Sequence, residues 1–254
     1  MVRLGQNFLA DPNLLDAIVR DAGLAPADVV LEVGAGEGVL SERLAAAAAH
    51  LHSIEIDNRL EPALAPIAAL PNVSLHWGDA MKVDLGALKP APTAMVANLP
   101  YSVATPLILR TIELLPGLQS WTVMVQREIA ERLRAAPGSR TYGSPSVQVQ
   151  LACEVELARK VDPAVFKPRP RVESAILRLR RTGPAADPAT RTLIRAAFAH
   201  RRKALARSLE HARPGSLAPA RAALAELGLP EDARAEALAP GQFAALSAKL
   251  QSDS

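Results

Sequence analysis

The sequence predicts an α/β protein: a Rossmann-like, doubly wound parallel sheet over residues 1–183, followed by a small all-helical domain over 184–254. Three observations carry this prediction. Short apolar runs alternate with helical stretches through the first part of the chain, the pattern of a sheet wrapped by helices. The first of these runs opens directly into a glycine-rich turn, Gly34-Ala35-Gly36-Glu37-Gly38. Past Thr182-Gly183-Pro184 every remaining segment reads as helix.

Asp11-Pro12 has the form of a helix start, with an N-capping carboxylate followed by proline in the first turn. Leu14, Leu15, Ile18 and Val19 then recur at helical spacing as far as Gly23. Val29–Val33 is a short apolar run of the kind buried in a parallel sheet. A helix over 39–49, a strand over 51–56 and a further helical stretch follow it. Strands over 73–77 and 93–97, a helix around 104–115, a strand over 121–126 and a helix over 127–135 complete the alternation. After Pro137 the pattern changes. Residues 138–145 read as loop, and 155–161 and 172–179 as two late strands. The final helices are expected over 188–200, 201–211, 217–227 and 241–250.

Composition narrows the function classes. Hydrophobic residues make up 49% of the chain and aromatics only 3%, so each ring outside an obvious core position gains weight. No apolar run approaches the length of a membrane span. The single Cys153 excludes an internal disulfide and fits a reducing, cytoplasmic setting. The five histidines form no recognisable metal-ligand set, so no metal is expected. The formal net charge is +3, and it is unevenly spread. Residues 1–183 balance at 19 basic and 19 acidic, whereas 184–254 hold 10 basic against 7 acidic. Two stretches are locally more basic: 159–181 with eight cations and 195–213 with six. Such clusters suit a polyanionic partner, although either alone reads equally as a solvated face.

The glycine turn lets backbone approach a ligand closely, with a helix N-terminus behind it. Its spacing is G-x-G-x-G rather than the G-x-G-x-x-G of dinucleotide sites. Glu55 ends the second strand about 20 residues on, where a carboxylate can accept from ribose hydroxyls. Asp79 follows the third strand after Gly78, placed to accept from an adenine amino group. Each carboxylate alone would also serve as an ordinary helix cap; together, at successive strand ends, they define one crevice for a nucleotide-like cofactor.

Asn98-Leu99-Pro100-Tyr101 at the end of the fourth strand points to methyl transfer rather than hydride transfer. An adenine amino nitrogen is a poor nucleophile because its lone pair is delocalised into the ring. The Asn98 side-chain oxygen and the Leu99 carbonyl can accept both amino hydrogens, which favours a tetrahedral nitrogen. Pro100 stiffens the turn and Tyr101 offers a stacking face. Phe166, in Phe166-Lys167-Pro168-Arg169-Pro170-Arg171, is a second candidate ring for a flipped base, with its basic neighbours on phosphates. Read alone, a phenylalanine such as Phe166 is more often a core residue.

These motifs resemble the ribosomal RNA adenine dimethyltransferases, in particular the bacterial small-subunit type linked to kasugamycin sensitivity. The resemblance runs in order through Gln6-Asn7-Phe8-Leu9, Glu32 to Gly38, Glu55-Ile56-Asp57, Gly78-Asp79-Ala80 and Asn98 to Tyr101. It continues through Val125 to Leu133, Phe166 to Ala175 and Phe198 to Leu205. It implies a class I methyltransferase sheet and S-adenosylmethionine as cofactor, held by Gln6, Asn7, Leu9, Gly34, Gly36, Glu55, Ile56, Asp79, Ala80 and Asn98. It implies that Asn98, Leu99, Pro100, Tyr101 and Phe166 hold the target adenine. Lys167, Arg169, Arg171, Arg201, Arg202 and Lys203 would contact RNA. The implied reaction is dimethylation of two adjacent adenosines near the 3′ end of small-subunit rRNA, by a monomer, during subunit maturation. Two departures stand out: members usually carry more residues before Gln6, and Ala35 replaces the proline of many small-subunit enzymes. Antibiotic-resistance relatives acting on large-subunit rRNA share Gly-Ala-Gly, so that activity is one alternative; a mainly non-catalytic assembly role is another.

Overall fold

The computed structural model describes residues 8–9, 11–167, 169–170, 172–200 and 202–252. It forms two compact units, one running to Ala130 and resuming at Glu154–Arg181, the other made of Glu131–Cys153 and Thr182 onward.

The first unit is built on a seven-stranded sheet. Its strands are β2 (Val29–Val33), β3 (His50–Glu55), β4 (Val73–Trp77), β5 (Ala94–Asn98), β6 (Ser120–Gln126), β7 (Cys153–Val161) and β9 (Ser174–Arg181), in the order β4-β3-β2-β5-β6-β9-β7. Strands β4 to β6 in that order are parallel. The strand order therefore reverses between β2 and β5, and a ligand crevice lies beyond the carboxyl ends of strands at such a switch point. The sheet is mixed rather than wholly parallel, because β9 runs antiparallel to β6 from Ser120↔Arg180 to Gln126↔Ser174. In β9 the exposed Arg178 and Arg180 are separated by buried Leu179, the one-side-wet alternation of an antiparallel strand. A separate two-residue ladder joins β1 (Phe8–Leu9) to β8 (Phe166–Lys167).

The helices of this unit are α1 (Pro12–Ala22), α2 (Val39–Ala47), α3 (Glu61–Ala68) and α4 (Ala104–Leu114), with α5 (Arg127–Leu133) reaching its boundary. Helix α1 begins as expected: the Asp11 side chain accepts from the N–H groups of Asn13 and Leu14, with Pro12 at the first position and Gly23 in the left-handed C-cap. Its buried Leu15 and Ile18 join Leu40, Leu44, Val30, Leu51 and Ile176 in one apolar cluster. Arg181 donates to the carbonyls of Ile112 and Leu115 at the end of α4 and to that of Leu118, and its guanidinium lies over the Trp121 ring.

The second unit contains α6 (Ser144–Ala152), α7 (Pro188–Phe198), α8 (Leu205–Ala212), α9 (Leu217–Glu226) and α10 (Pro240–Ser252). The structure differs here from the sequence pattern in two ways. No element is expected over 146–152; a serine-proline start and the burial of Val147, Val149 and Ala152 make it a helix. The expected boundary near 183 also groups 131–153 with the sheet. By packing, that segment belongs with the helices: Ala135, Tyr142 and Val147 share a core with Ile194, Leu205, Leu224 and Phe243. Tyr142 is fully buried, donates to the Leu238 carbonyl at 2.9 Å, and meets Phe198 edge-on. Burial pushes its pKa up to about 12.

Candidate functional site

The crevice is assembled at the tips of β2, β3, β4 and β5. Gly34, Gly36 and Gly38 all have positive φ, at +83°, +58° and +83°, which explains why the turn after β2 needs glycine at alternate positions. The Gly34 N–H bonds the Ile54 carbonyl and the Gly36 N–H bonds Glu55 Oε2 at 2.9 Å. The Gly78 N–H bonds the Glu55 carbonyl at 2.8 Å, drawing the tip of β4 to that of β3. A Cβ added to Gly34 would lie 3.6 Å from the Asn98 carbonyl oxygen and 3.7 Å from Pro100 Cδ. The turn at 98–101 therefore stands against the glycine turn, in the crevice that holds Glu55 and Asp79.

Glu55 is buried and its carboxylate is already well used. Oε2 accepts from Gly36, and Oε1 accepts from the N–H groups of Ile56 and Asp57, both at 2.9 Å. Three of about four acceptor positions are thus filled by backbone, leaving room for one strong hydroxyl donor. Asp79 accepts from the Met81 N–H through Oδ1 at 2.9 Å, which leaves Oδ2 for an amino group. Ala80 is buried beside it, while Ile56 at 52% and Trp77 at 38% are exposed apolar side chains next to these two carboxylates. Carboxylates flanked by exposed apolar surface form a lining suited to a flat ring with polar edges. Trp77 is not among the residues that sequence reasoning singles out, although its position two residues before Asp79 is a usable signal.

At the neighbouring strand end, Leu99 is buried and its N–H bonds the Met124 carbonyl at 3.0 Å. Asn98 is half-buried and Pro100 exposed, and the Pro100 carbonyl accepts from Val103 as the chain enters α4. The half-buried Tyr101 shares a 2.7 Å hydrogen bond with the buried Ser174 hydroxyl on β9. Phe166 departs from expectation. Its ring is 2% exposed and belongs to the cluster with Leu9, Leu15 and Ile176, so it is a core side chain rather than an open stacking platform. A buried phenyl gains roughly 1.5–3 kcal/mol over an exposed one, which is the physical reason the core position prevails. Leu9 is buried opposite it in the β1–β8 ladder.

Beneath the turn lies Glu32, part of the glycine-turn motif but without a role legible in the sequence. It is buried, and Oε2 accepts from Ser41 at 2.6 Å and Ser53 at 2.7 Å, tying α2 to β3. Its Oε1 is buried without a partner. Loss of solvation raises its pKa to about 7, against the two serine hydroxyls, which favour the charged form.

Of the expected RNA contacts, Arg169, Arg202 and Lys203 are exposed, and Arg169 lies 3.8 Å from Asp162. Gln6, Asn7, Arg171, Arg201 and the side chain of Lys167 lie outside the described residues.

Comparison with known proteins decides the class. The family described as ribosomal RNA adenine dimethylase matches residues 2–252. The chain belongs to that family. It is an S-adenosylmethionine-dependent enzyme that dimethylates adenine in ribosomal RNA. "Ribosomal RNA small subunit methyltransferase A" of Rubrobacter xylanophilus is 45% identical over 252 residues, covering 98% of this chain and 94% of the relative. The protein of the same name from Streptomyces avermitilis is 44% identical, covering 98% and 88%. Among solved structures, a dimethyladenosine transferase from Plasmodium falciparum superposes with a TM-score of 0.79 at 26% identity, covering 94% of this chain and 95% of that one. The 23S rRNA methyltransferase ErmE gives 0.70 at 29% identity, covering 96% and 100%. Like other chains of this architecture, the dimethylase carries its glycine turn at the sheet's switch point. No helix among its described residues is long and apolar enough to cross a membrane.

Proposed function

We propose that this dimethylase acts on two adjacent adenosines near the 3′ end of small-subunit rRNA, on a maturing subunit. The single observation that carries the site assignment is the approach of the Asn98 turn to the Gly34 turn, 3.6 Å from the Cβ position of Gly34 to the Asn98 carbonyl oxygen. Cofactor grip and amine grip then share one crevice. The small-subunit assignment is supported by 45% identity to a small-subunit methyltransferase, against 29% to the large-subunit enzyme ErmE.

In this reading Gly34 and Gly36 bring backbone against the cofactor, Glu55 takes one ribose hydroxyl, and Asp79 Oδ2 accepts from the cofactor's adenine amine. Ile56, Ala80 and Leu9 supply apolar lining, with Gln6 and Asn7 assigned to the same pocket by family likeness. S-adenosylmethionine, when bound, supplies an electrophilic methyl group on a sulfonium. Asn98 accepts one hydrogen of the target amine through its side-chain oxygen, and the Leu99 carbonyl accepts the other. Drawing both amine hydrogens away would free the nitrogen lone pair from the ring, so that it could take the methyl group the bound cofactor would supply. The methylated amine then loses its proton to water, so no strong base is required. Alignment and fixed dipoles account for the acceleration. Tyr101, steadied by Ser174, stacks on the base, and Pro100 fixes the turn. Lys167, Arg169, Arg171, Arg201, Arg202 and Lys203 are assigned to RNA phosphates.

The deciding experiment incubates the protein with labelled S-adenosylmethionine and undermethylated small or large ribosomal subunits, followed by nucleoside analysis. N6,N6-dimethyladenosine in the small subunit alone is the expected result. Label confined to the large subunit would overturn the assignment in favour of the activity that the ErmE likeness suggests.

A further inference from the structure

Glu32 is a buried acid that the proposed chemistry leaves without a task, and the fold sets it against the parts that shape the cofactor crevice. It lies on β2 two residues before Gly34, and its register partner on β3 is Ser53, two residues before Glu55. Side chains alternate along a strand and register partners share a face, so Glu32, Ser53 and Glu55 stand on one face of the sheet. Ser41 joins them from the first turn of α2, just past the glycine turn. Both serine hydroxyls donate to Glu32 Oε2, so a single carboxyl oxygen links the two strands and the helix that flank that turn.

The other oxygen, Oε1, is enclosed with no hydrogen-bond partner, and among the described residues no cation pairs with this acid. Few groups face it. Strand β3 brings Ser53 and the Glu55 carboxylate, α2 brings Ser41, and β5 alongside brings the apolar Met95, Val96 and Ala97. His52 belongs to the opposite face of β3. Loss of solvation, with a smaller push from Glu55, outweighs the two serines and raises the pKa of Glu32 to about 7. A carboxyl that titrates near neutral pH without a counter-ion responds to any charge placed nearby: an added cation draws the proton off, and its loss brings the proton back. S-adenosylmethionine bears such a charge on its sulfonium, and the demethylated product, a neutral thioether, lacks it.

We propose that Glu32 is a charge-sensing residue of the cofactor site, which releases its proton to solvent when the sulfonium form is bound and retains it when the thioether product is bound. The ionised acid favours the cofactor over its product, which sharpens the exchange of spent for fresh cofactor between two methyl transfers to one amine. It acts through the charge it sets beneath the crevice, as a specificity-determining residue rather than a catalytic one. The inference rests on the reading of this crevice as the cofactor site. By linkage, affinity for the sulfonium form rises with pH and levels off above about 7, where Glu32 is ionised with or without ligand. Affinity for the thioether carries no such rise.

The test is calorimetric binding of S-adenosylmethionine and of S-adenosylhomocysteine by the full chain, across pH and in two buffers of different ionisation enthalpy. For the parent, the ratio of the two affinities should grow about three- to tenfold in favour of S-adenosylmethionine from about pH 5.5 to about pH 8, the size that one neighbouring charge gives across protein of intermediate dielectric. Fractional proton release should accompany S-adenosylmethionine alone. Glu32→Gln should flatten the growth and abolish the release; the ligands' own amines titrate alike with either protein and cancel on comparison. Ser41→Ala removes a donor that favours the charged form, so it should move the rise to higher pH, a displacement that misfolding cannot imitate. A ratio that grows equally in Glu32→Gln, or one that is flat in the parent, would overturn the proposal, and so would an unmoved rise in Ser41→Ala. Failure of the cofactor-site reading shows separately, as parental affinity for both ligands in Asp79→Ala.

Discussion

Two basic stretches look alike in the sequence and do different things in the structure. In 159–181 several of the described cations on the strands have partners: Arg159 meets Asp21 at 3.2 Å, Arg178 meets Glu156 at 3.7 Å, Arg180 meets Glu154 at 2.5 Å, and Arg181 caps α4. In 195–213 Arg202 and Arg207 have no acidic partner among the described residues and converge with Arg221 and Arg234 from beyond the stretch. Charge density along a chain therefore says little about availability. What matters is whether the fold supplies the counter-charge, and a strand beside an acidic strand does so residue by residue. The same contrast gives the two units different roles. In the proposed reading the sheet unit holds the chemistry, while among the described residues the helical unit carries cations without an acidic partner.

The largest effect should come from a substitution that parts these roles. Asn98→Ala removes one of the two acceptors that the proposed function assigns to the target amine. Loss of one such preorganised group costs on the order of 10²–10³ in rate. We expect dimethyladenosine formation to fall by at least that factor, while hairpin RNA affinity and its salt slope stay at the parent values. A parallel fall in RNA affinity would show that the two units do not divide the work in this way.

The next largest concerns Glu32, and it sharpens the view of the sheet unit as a place where charge is suppressed. A carboxyl whose folded pKa is raised from 4.5 to about 7 keeps its proton in the native state while the unfolded chain releases it. The resulting cost begins as pH rises past 4.5 and is complete above about 7, where it amounts to about 3 kcal/mol. Glu32→Gln, neutral throughout, should be more stable than the parent at pH 8, by up to that amount. At pH 5 the two should agree within about 1 kcal/mol, because the amide oxygen still accepts from Ser41 and Ser53. Urea unfolding at both values checks it; parallel pH curves for the two proteins would show that no charge is suppressed at this position.

A third effect has the opposite sign. His52 Nε2 donates to the Pro90 carbonyl at 2.9 Å, so its Nδ1 is the acceptor for His76 Nε2–H at 3.1 Å. Desolvation lowers the pKa of both rings, and the charge on His50 adds to it. The native state thus binds fewer protons than the unfolded chain, and the contribution is fully present above 6.5. It is lost as pH falls through the folded values, because a proton on His52 Nδ1 faces the His76 N–H. His76→Gln should weaken the acid-side decline below about pH 6.5, measured by thermal melting. An unchanged decline would place the acid sensitivity outside this pair.

How much of this is legible in the sequence follows from the kind of signal each part leaves. The strand tips are legible because glycines at alternate positions and acids at successive strand ends report backbone constraint directly, and the structure gathers Gly34, Glu55, Asp79 and Asn98 at one crevice. Helix α6 is not, because alternating valine and glutamine has a strand's period and only packing against Tyr142 and its neighbours decides otherwise. Phe166 misleads as a candidate platform because its basic neighbours suggest a surface loop, whereas the ring itself turns inward. The cluster of cations lining a cavity of the helical unit is half legible. Arg202 and Lys203 sit in a visible basic run, but Arg221 and Arg234 are isolated in sequence and join only through the fold.

The smallest expected effect is the one that can break the comparison most directly. Arg180 and Glu154 form an exposed pair, with side chains 67% and 68% accessible. Such pairs contribute about 0.2–1 kcal/mol, and their mutual charge largely cancels at the distance of an approaching phosphate. Arg180→Gln should therefore change hairpin affinity by less than about twofold and leave the salt slope unaltered. Arg234→Gln, which removes an unpaired cation from a concave wall, should reduce both. Measured side by side in one salt series, the two single-charge variants carry the same change in net charge. Any difference between them then reports counter-charge and concavity alone; equal losses would mean that the two basic stretches are alike after all, and that total charge governs RNA binding.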